Sequence, residues 1–333
     1  MTLSTKDYAL LSDAAYKDPE VEAQAPDGRV ISYKRVTLDG VEYRPIAHAD
    51  NSKTGFQATA YERLDSTHEV VIAYRGTEMD REFKKDVLVT DVDMAVKGFN
   101  DQGADSNAFT EKVIGLAKQK AELYHSPVPV SVTGHSLGGT EAEMNAYKYG
   151  LKGETFNAFG AAGLSGLHIP EGGNQVIDHV RATDVVSAAS PHFGQVRVYA
   201  VPQDIQALQG AGYHDNRLLN ALTPDEPILG KIQGEAHKMG NFLADNSVIG
   251  KSIITPQNEA LATEHSVMIG HYRGQIERAR DMAHLEYEIN KPVLDASGAV
   301  VHRVENNARK AGELLGAVAR DFVRERARQD QGF

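Results

Sequence analysis

Hydrophobic and polar positions change period several times along the chain, and each change predicts an element. Tyr8, Leu11 and Ala15, with Leu10 beside them, share one face at helical spacing and predict an amphipathic helix over Thr5–Tyr16. Ser4 is placed to cap it, and Lys17-Asp18-Pro19 to end it. Apolar runs at Val41–His48, Gly55–Arg63 and Glu69–Arg75 then alternate with the turn clusters Asn51-Ser52-Lys53 and Asp65-Ser66-Thr67. Such punctuation predicts a β-meander feeding a larger sheet. Asp80–Phe99 is charged and weakly patterned, whereas Ala108, Val113, Ala117 and Ala121 predict a helix over Ala108–Tyr124. Further strands are expected at Val128–Thr133, Thr155–Phe159, Val176–Ala182 and Gln195–Val201, with a helix over Thr140–Tyr149 after the first. Strands alternating with helices across residues 69–201 predict an α/β fold with a mostly parallel sheet flanked by helices.

Beyond Pro202 the pattern breaks into short apolar pieces rich in Gly, Asn and Pro up to Pro256, which predicts site-covering loops or a lid. Gln257–Ile289 predicts one long helix, Pro292–Val301 a small hairpin, and Val304–Arg328 a charged amphipathic helix. The domain expectation is a main domain over 1–290 and a C-terminal helical extension over 291–333.

The chemistry centres on Val128–Gly150, where a strand pattern runs into Gly134-His135-Ser136-Leu137-Gly138-Gly139 and then a helix. In that context G-x-S-x-G is a nucleophile elbow, with the serine on a sharp turn and the next N–H, of Leu137, facing any oxyanion formed there. The bland alternative is a serine that caps the following helix. A serine nucleophile needs a base and an acid that orients the base, and the chain order expected in such sites is Ser, acid, His. Asp184 stands at the end of a later strand; Asp178, inside a strand pattern, and Asp204, one strand on, are its competitors. Among later histidines, His265, His271 and His284 fall in the long helical pattern, His192 follows a proline close to the acid, and His302 lies in the extension. His214 and His237 remain, and local spacing does not separate them.

Composition narrows the partners. The 333 residues carry a net charge of −11, which argues against nucleic acid as a partner and against simple electrostatic docking on anionic lipid. There is no cysteine, so disulfides and thiolate chemistry are excluded. The N-terminal stretch lacks the basic and apolar regions of a Sec signal peptide, and no apolar run approaches a bilayer-spanning length. No cofactor is implied, and no metal site: no stretch has calcium-loop spacing.

Tyr74-Arg75-Gly76-Thr77 after a strand, the elbow, Thr155–Gly160, Arg181–Val186 and Ala236–Leu243 together resemble the class 3 lipase family of the α/β-hydrolase fold. The resemblance, over about residues 55–245, implies a Ser136–His237–Asp184 triad, with Thr77 and Leu137 forming the oxyanion hole and Asp86 and Asp91 structural. It also implies hydrolysis of acyl esters of lipids or phospholipids, with transient membrane contact. Glu141 and Glu143, just after the elbow, depart from the small or apolar residues usual there. Asp7–Tyr16 and Ala188–Gln195 are similar to lipase domains of bacterial effectors delivered into rival cells, which implies a phospholipase toxin, export by a dedicated system and a cognate immunity protein as partner. Two other readings share the sequence: a soluble short-chain esterase or lysophospholipase, and a non-catalytic hydrolase-like binding module.

Overall fold

The computed structural model describes residues 3–76, 87–164, 167–220, 234–245 and 249–281, leaving aside the side chains of 87–101. The described chain to Arg280 forms one compact unit. Helix α1 spans Thr5–Ala14, and its capping box, Ser4 with Asp7, satisfies donors that the first turn leaves free. Strands β1 (Val21–Gln24) and β2 (Val30–Tyr33) form a separate two-stranded sheet that the sequence pattern did not announce. Both are short and largely exposed, so no buried alternation marks them.

The main sheet holds β3 (Val36–Leu38), β4 (Val41–Asn51), β5 (Phe56–Arg63), β6 (Val70–Tyr74), β7 (Val130–His135), β8 (Lys152–Phe156), β9 (Gly172–Arg181) and β10 (Phe193–Tyr199), side by side in chain order. The pairings from β3 to β6 are antiparallel, as the meander predicted, and those from β6 to β10 are parallel. Every residue of β6 is buried, as expected of a central strand covered on both faces. Each such Val or Ile side chain contributes roughly 1.5–3 kcal/mol on leaving water.

Helices join the parallel strands: α2 (Val87–Tyr124), α3 (Leu137–Tyr149) and the one-turn α4 (Val185–Ala188), followed by α5 (Pro202–Gly210) and α6 (Arg217–Asn220). Helix α2 begins well before the Ala108 start expected from the pattern, because the charged stretch from Val87 onward is helical too. The Pro202–Pro256 region is less irregular than expected, since Pro202 opens α5 at a position where proline's missing N–H costs nothing. The single helix expected from Gln257 is instead α7 (Pro256–Glu264) and α8 (266–281), separated by a turn at His265. The hairpin and amphipathic helix expected after residue 290 lie outside the described residues, as do Thr77 and Asp86 and the side chain of Asp91. Among the described residues, no helix is long and apolar enough to cross a membrane.

Candidate active site

Strand β7 delivers the chain to Ser136, whose φ of 60° and ψ of −129° fall where a side chain is strained. Ser136 makes no side-chain cap bond to α3, so the helix-cap alternative fails and the hydroxyl is free for another partner. Small residues make the elbow possible. A Cβ on Gly138 would lie 2.3 Å from the Tyr74 carbonyl oxygen, and one on Gly76 would lie 2.4 Å from the His135 carbonyl oxygen and 3.0 Å from Ser136 Cβ. Arg75 and Gly76, just after β6, therefore press directly against the elbow.

Ser136 Oγ lies 2.9 Å from His237 Nε2, and His237 Nδ1 lies 2.9 Å from Asp184 Oδ1. The other Asp184 oxygen accepts the Ser187 N–H at 2.9 Å, because Asp184 caps the short helix α4. Burial pushes the Asp184 carboxyl up. The charge of His237 and hydrogen bonds from His237 and Ser187 outweigh this and hold it below the usual carboxylate range. Leu137 opens α3, so its N–H is among the first-turn donors with no acceptor inside the helix. Ser136 is only 1% exposed, which means a bulky substrate must displace covering groups to reach it.

Of the two histidines that spacing leaves open, the structure places His237 beside Ser136. His214 is exposed, and its backbone is tied to the Asn220 side chain; His265 pairs with Asp215. Neither is brought to Ser136. Asp204 is committed to the buried Arg181 guanidinium at 2.9 Å, and Asp178 lies among Thr155, Glu143 and His192.

Several residues that sequence reasoning missed hold the His237 segment. His135 donates from Nε2 to the His237 carbonyl at 2.6 Å, while its Nδ1 accepts from Tyr16 Oη at 2.7 Å. Burial, with His237 alongside, pushes the His135 imidazole down to about 3, so it stays neutral. Asn157 Nδ2 donates to the Ala236 carbonyl, and Asn241 Nδ2 reaches the carbonyls of Glu235, Ala236 and Lys238. Asn241 Oδ1 in turn accepts from Arg181 Nη1 at 3.0 Å. The two glutamates that departed from the family pattern are both buried. Glu143 accepts the N–H groups of Ala161 and Phe193, whereas burial, with the charge of Asp105, pushes the Glu141 carboxyl well above the usual range.

A mixed, mostly parallel sheet with a serine elbow after a central strand, and an acid and a histidine on later loops, defines the α/β-hydrolase class of protein. The chain belongs to the phospholipase-like family described as the Tle-like phospholipase domain, whose family model matches residues 7–249. Among solved structures, lipase II from Rhizopus niveus is similar at 17% identity over 44% of this chain and 60% of that one, with a TM-score of 0.29. The Rhizomucor miehei lipase propeptide complex is similar at 16% identity over 47% and 57%, with a TM-score of 0.30. A triacylglycerol lipase from Penicillium expansum is similar at 15% identity over 58% and 76%, with a TM-score of 0.35. The chain thus spans less than two thirds of the length of the Rhizopus and Rhizomucor proteins. No curated protein sequence matches it. At these scores the family match carries the assignment, not the structural likeness.

Proposed function

We propose that the chain is a serine-dependent phospholipase of the A type, with Ser136 as nucleophile, His237 as base and Asp184 as orienting acid. The observation that carries this reading is the continuous hydrogen-bonded chain from Ser136 Oγ through both His237 ring nitrogens to Asp184, set on a strained elbow. Asp184 accepts a hydrogen bond from Nδ1–H, which leaves the Nε2 lone pair facing Ser136. As Ser136 Oγ attacks the ester carbonyl carbon, Nε2 takes the hydroxyl proton and the carbonyl oxygen becomes an oxyanion. The Leu137 N–H, with Thr77 as the partner implied by the family pattern, stabilises that charge. Collapse breaks the ester C–O bond, the imidazolium passes its proton to the departing lysophospholipid alkoxide, and an acyl-Ser136 ester remains. Water, deprotonated by His237, then releases the fatty acid.

The membrane is the proposed location of the substrate. A serine that is almost fully buried suits an enzyme whose covering groups move at a lipid surface. The effector role, with delivery into a rival cell and a cognate immunity protein, is the further reading that the family name supports. Fatty-acid release from phosphatidylethanolamine/phosphatidylglycerol vesicles, by wild type and Ser136→Ala, tests the chemistry. Serine-dependent release with a lysophospholipid product is expected. Activity confined to a soluble short-chain ester would replace the phospholipase by a general esterase. Periplasmic expression in a susceptible bacterium tests the toxin role: growth arrest that requires Ser136 is expected, and harmless wild-type protein there would end that reading.

A further inference from the structure

Behind the acid turn lies a second cluster that the proposed hydrolysis does not use. Glu143, Asp178 and His192 converge with one potential ligand atom each, all within 4.8 Å of one another and all buried. The side chains of Glu143 and Asp178 are fully enclosed, and that of His192 is 4% exposed. Three different elements supply them: the elbow helix α3, the strand β9 and the turn before β10.

The hydrogen bonds fix what each atom presents. His192 Nε2 lies 2.9 Å from the Ser187 carbonyl oxygen, an acceptor, so Nε2 carries the ring proton. Nδ1 then offers a lone pair, and it faces Glu143 Oε1 at 3.1 Å and Asp178 Oδ1 at 4.0 Å. Asp178 Oδ1 also receives the Thr155 hydroxyl, while Asp178 Oδ2 is buried and receives no N–H or alcohol O–H, and the Asp178 and Glu143 carboxyls lie close enough to share a proton. Asp178 Oδ2 faces the bare Cα of Gly194, where a Cβ would sit 2.7 Å away. An imidazole lone pair and two carboxylates turned toward one another in a closed interior need positive charge between them.

We propose that Glu143, Asp178 and His192 form a structural binding site for a divalent transition-metal cation, of which zinc is the best fit. Zinc bonds of about 2.0–2.2 Å to nitrogen and oxygen give tetrahedral ligand–ligand edges of about 3.3–3.6 Å. The 3.1 and 4.0 Å separations from His192 Nδ1 to the two carboxylates straddle that range, and all three ligand atoms lie within 4.8 Å of one another. Asp178 Oδ2 is the protein atom available as a further ligand. A nitrogen ligand and so few oxygens argue against calcium, which takes six to eight oxygens. Charge balances as well, because two carboxylates neutralise a divalent cation without a counter-ion. The Ser187 carbonyl on His192 Nε2 is the orienting partner that metal-binding imidazoles ordinarily have.

A cavity of about 410 Å³, lined by Ser187, Ser190, His192, Gly194 and Arg273, reaches the imidazole of the cluster. The Arg273 guanidinium in its wall is engaged by Ser187, through the hydroxyl and the carbonyl. The site also connects to the candidate triad. Ser187 accepts from His192 with its carbonyl and donates its N–H to Asp184, so a cation on His192 would fix the turn that presents the acid.

Zinc and cobalt binding to the full chain, stripped of metal by chelator and dialysis, test the proposal. Wild type is expected to bind one zinc per chain with a raised thermal midpoint, and its cobalt(II) form to show the intense visible absorption of four-coordinate cobalt. His192→Gln and Asp178→Asn are each expected to weaken zinc binding at least ~10-fold. Wild type that neither retains zinc nor shifts its midpoint, or a shift of equal size in both variants, overturns the site and leaves a proton-sharing carboxyl pair. Should a variant fail to fold, the wild-type cobalt spectrum decides alone: four-coordinate absorption supports the site, and a spectrum matching free aqueous cobalt removes it. None of these readouts depends on hydrolysis, so the phospholipase reading can fail without this one.

Discussion

Replacing Ser136 by glycine and by alanine separates the serine's chemical role from the strain it carries. Both substitutions remove Oγ and its 2.9 Å contact with His237, so that loss cancels between them. What differs is the backbone, which at φ 60° and ψ −129° suits glycine and strains alanine. Such strain costs about 1–3 kcal/mol. Glycine gives back about 0.5–1 kcal/mol through the greater freedom of the unfolded chain. The net expectation is a glycine variant more stable than the alanine variant by about 0.5–2 kcal/mol, or ~1–8 °C in thermal midpoint at about 2–4 °C per kcal/mol for a large domain. Neither variant should hydrolyse ester. Differential scanning calorimetry on the two proteins, side by side in one buffer, measures the difference. An alanine variant as stable as the glycine variant, or more so, would mean that the elbow stores no strain and that Ser136 is held there for another reason.

Asp184→Asn should leave the fold intact, because its one amide oxygen can still accept the Ser187 N–H, yet reduce kcat by about 10³–10⁴-fold, because the amide NH2 then faces His237 Nδ1 and imposes the wrong tautomer; steady-state kinetics alongside circular dichroism checks both halves. Asn241→Ala strips three carbonyls and Arg181 of a partner, so it should cost about 2–4 kcal/mol in urea unfolding and lower turnover more than it raises KM. His135 sets a pH dependence. Its folded value of about 3 lies below the unfolded value near 6.5, so the unfolded chain binds a proton that the folded chain refuses. Stability from this group is therefore whole above about pH 6.5 and lost as pH falls toward 3, by ~3–5 kcal/mol in total. His135→Gln should show a shallower decline of thermal midpoint over that window than wild type, and parallel curves for the two proteins would refute it.

What was legible in the sequence was what is local. The elbow could be read because strand, glycines, serine and helix are contiguous, and Asp184 because it directly follows β9. His237 could not be separated from His214 by spacing, since both sit in irregular chain; the family resemblance of Ala236–Leu243 singled it out, and in the fold the 234–242 segment returns to the ends of β7 and β8. The clamp of Arg181, Asp204 and Asn241 was invisible for the same reason: its members lie far apart in the chain and none carries a local pattern. Asp204 invited confusion with the acid because it too follows a strand, but the Arg181 ion pair, the Thr183 hydroxyl and the Val201 N–H occupy its carboxylate. The α7–α8 break was missed because apolar spacing continues through His265 although the backbone turns there. Glu143 was noticed as a departure, and its meaning emerges only where β9 and the turn before β10 bring Asp178 and His192 against it.

The central claim, that His237 activates Ser136 as a nucleophile, is tested most directly by a covalent label. Wild type, His237→Ala and Ser136→Ala would be incubated with an alkyl fluorophosphonate in the presence of phospholipid vesicles, and the adduct located by peptide mass spectrometry. The account predicts one adduct on Ser136 in wild type, slowed by orders of magnitude in His237→Ala and absent in Ser136→Ala. Wild type left unlabelled at Ser136, or labelled there just as fast without His237, would contradict it.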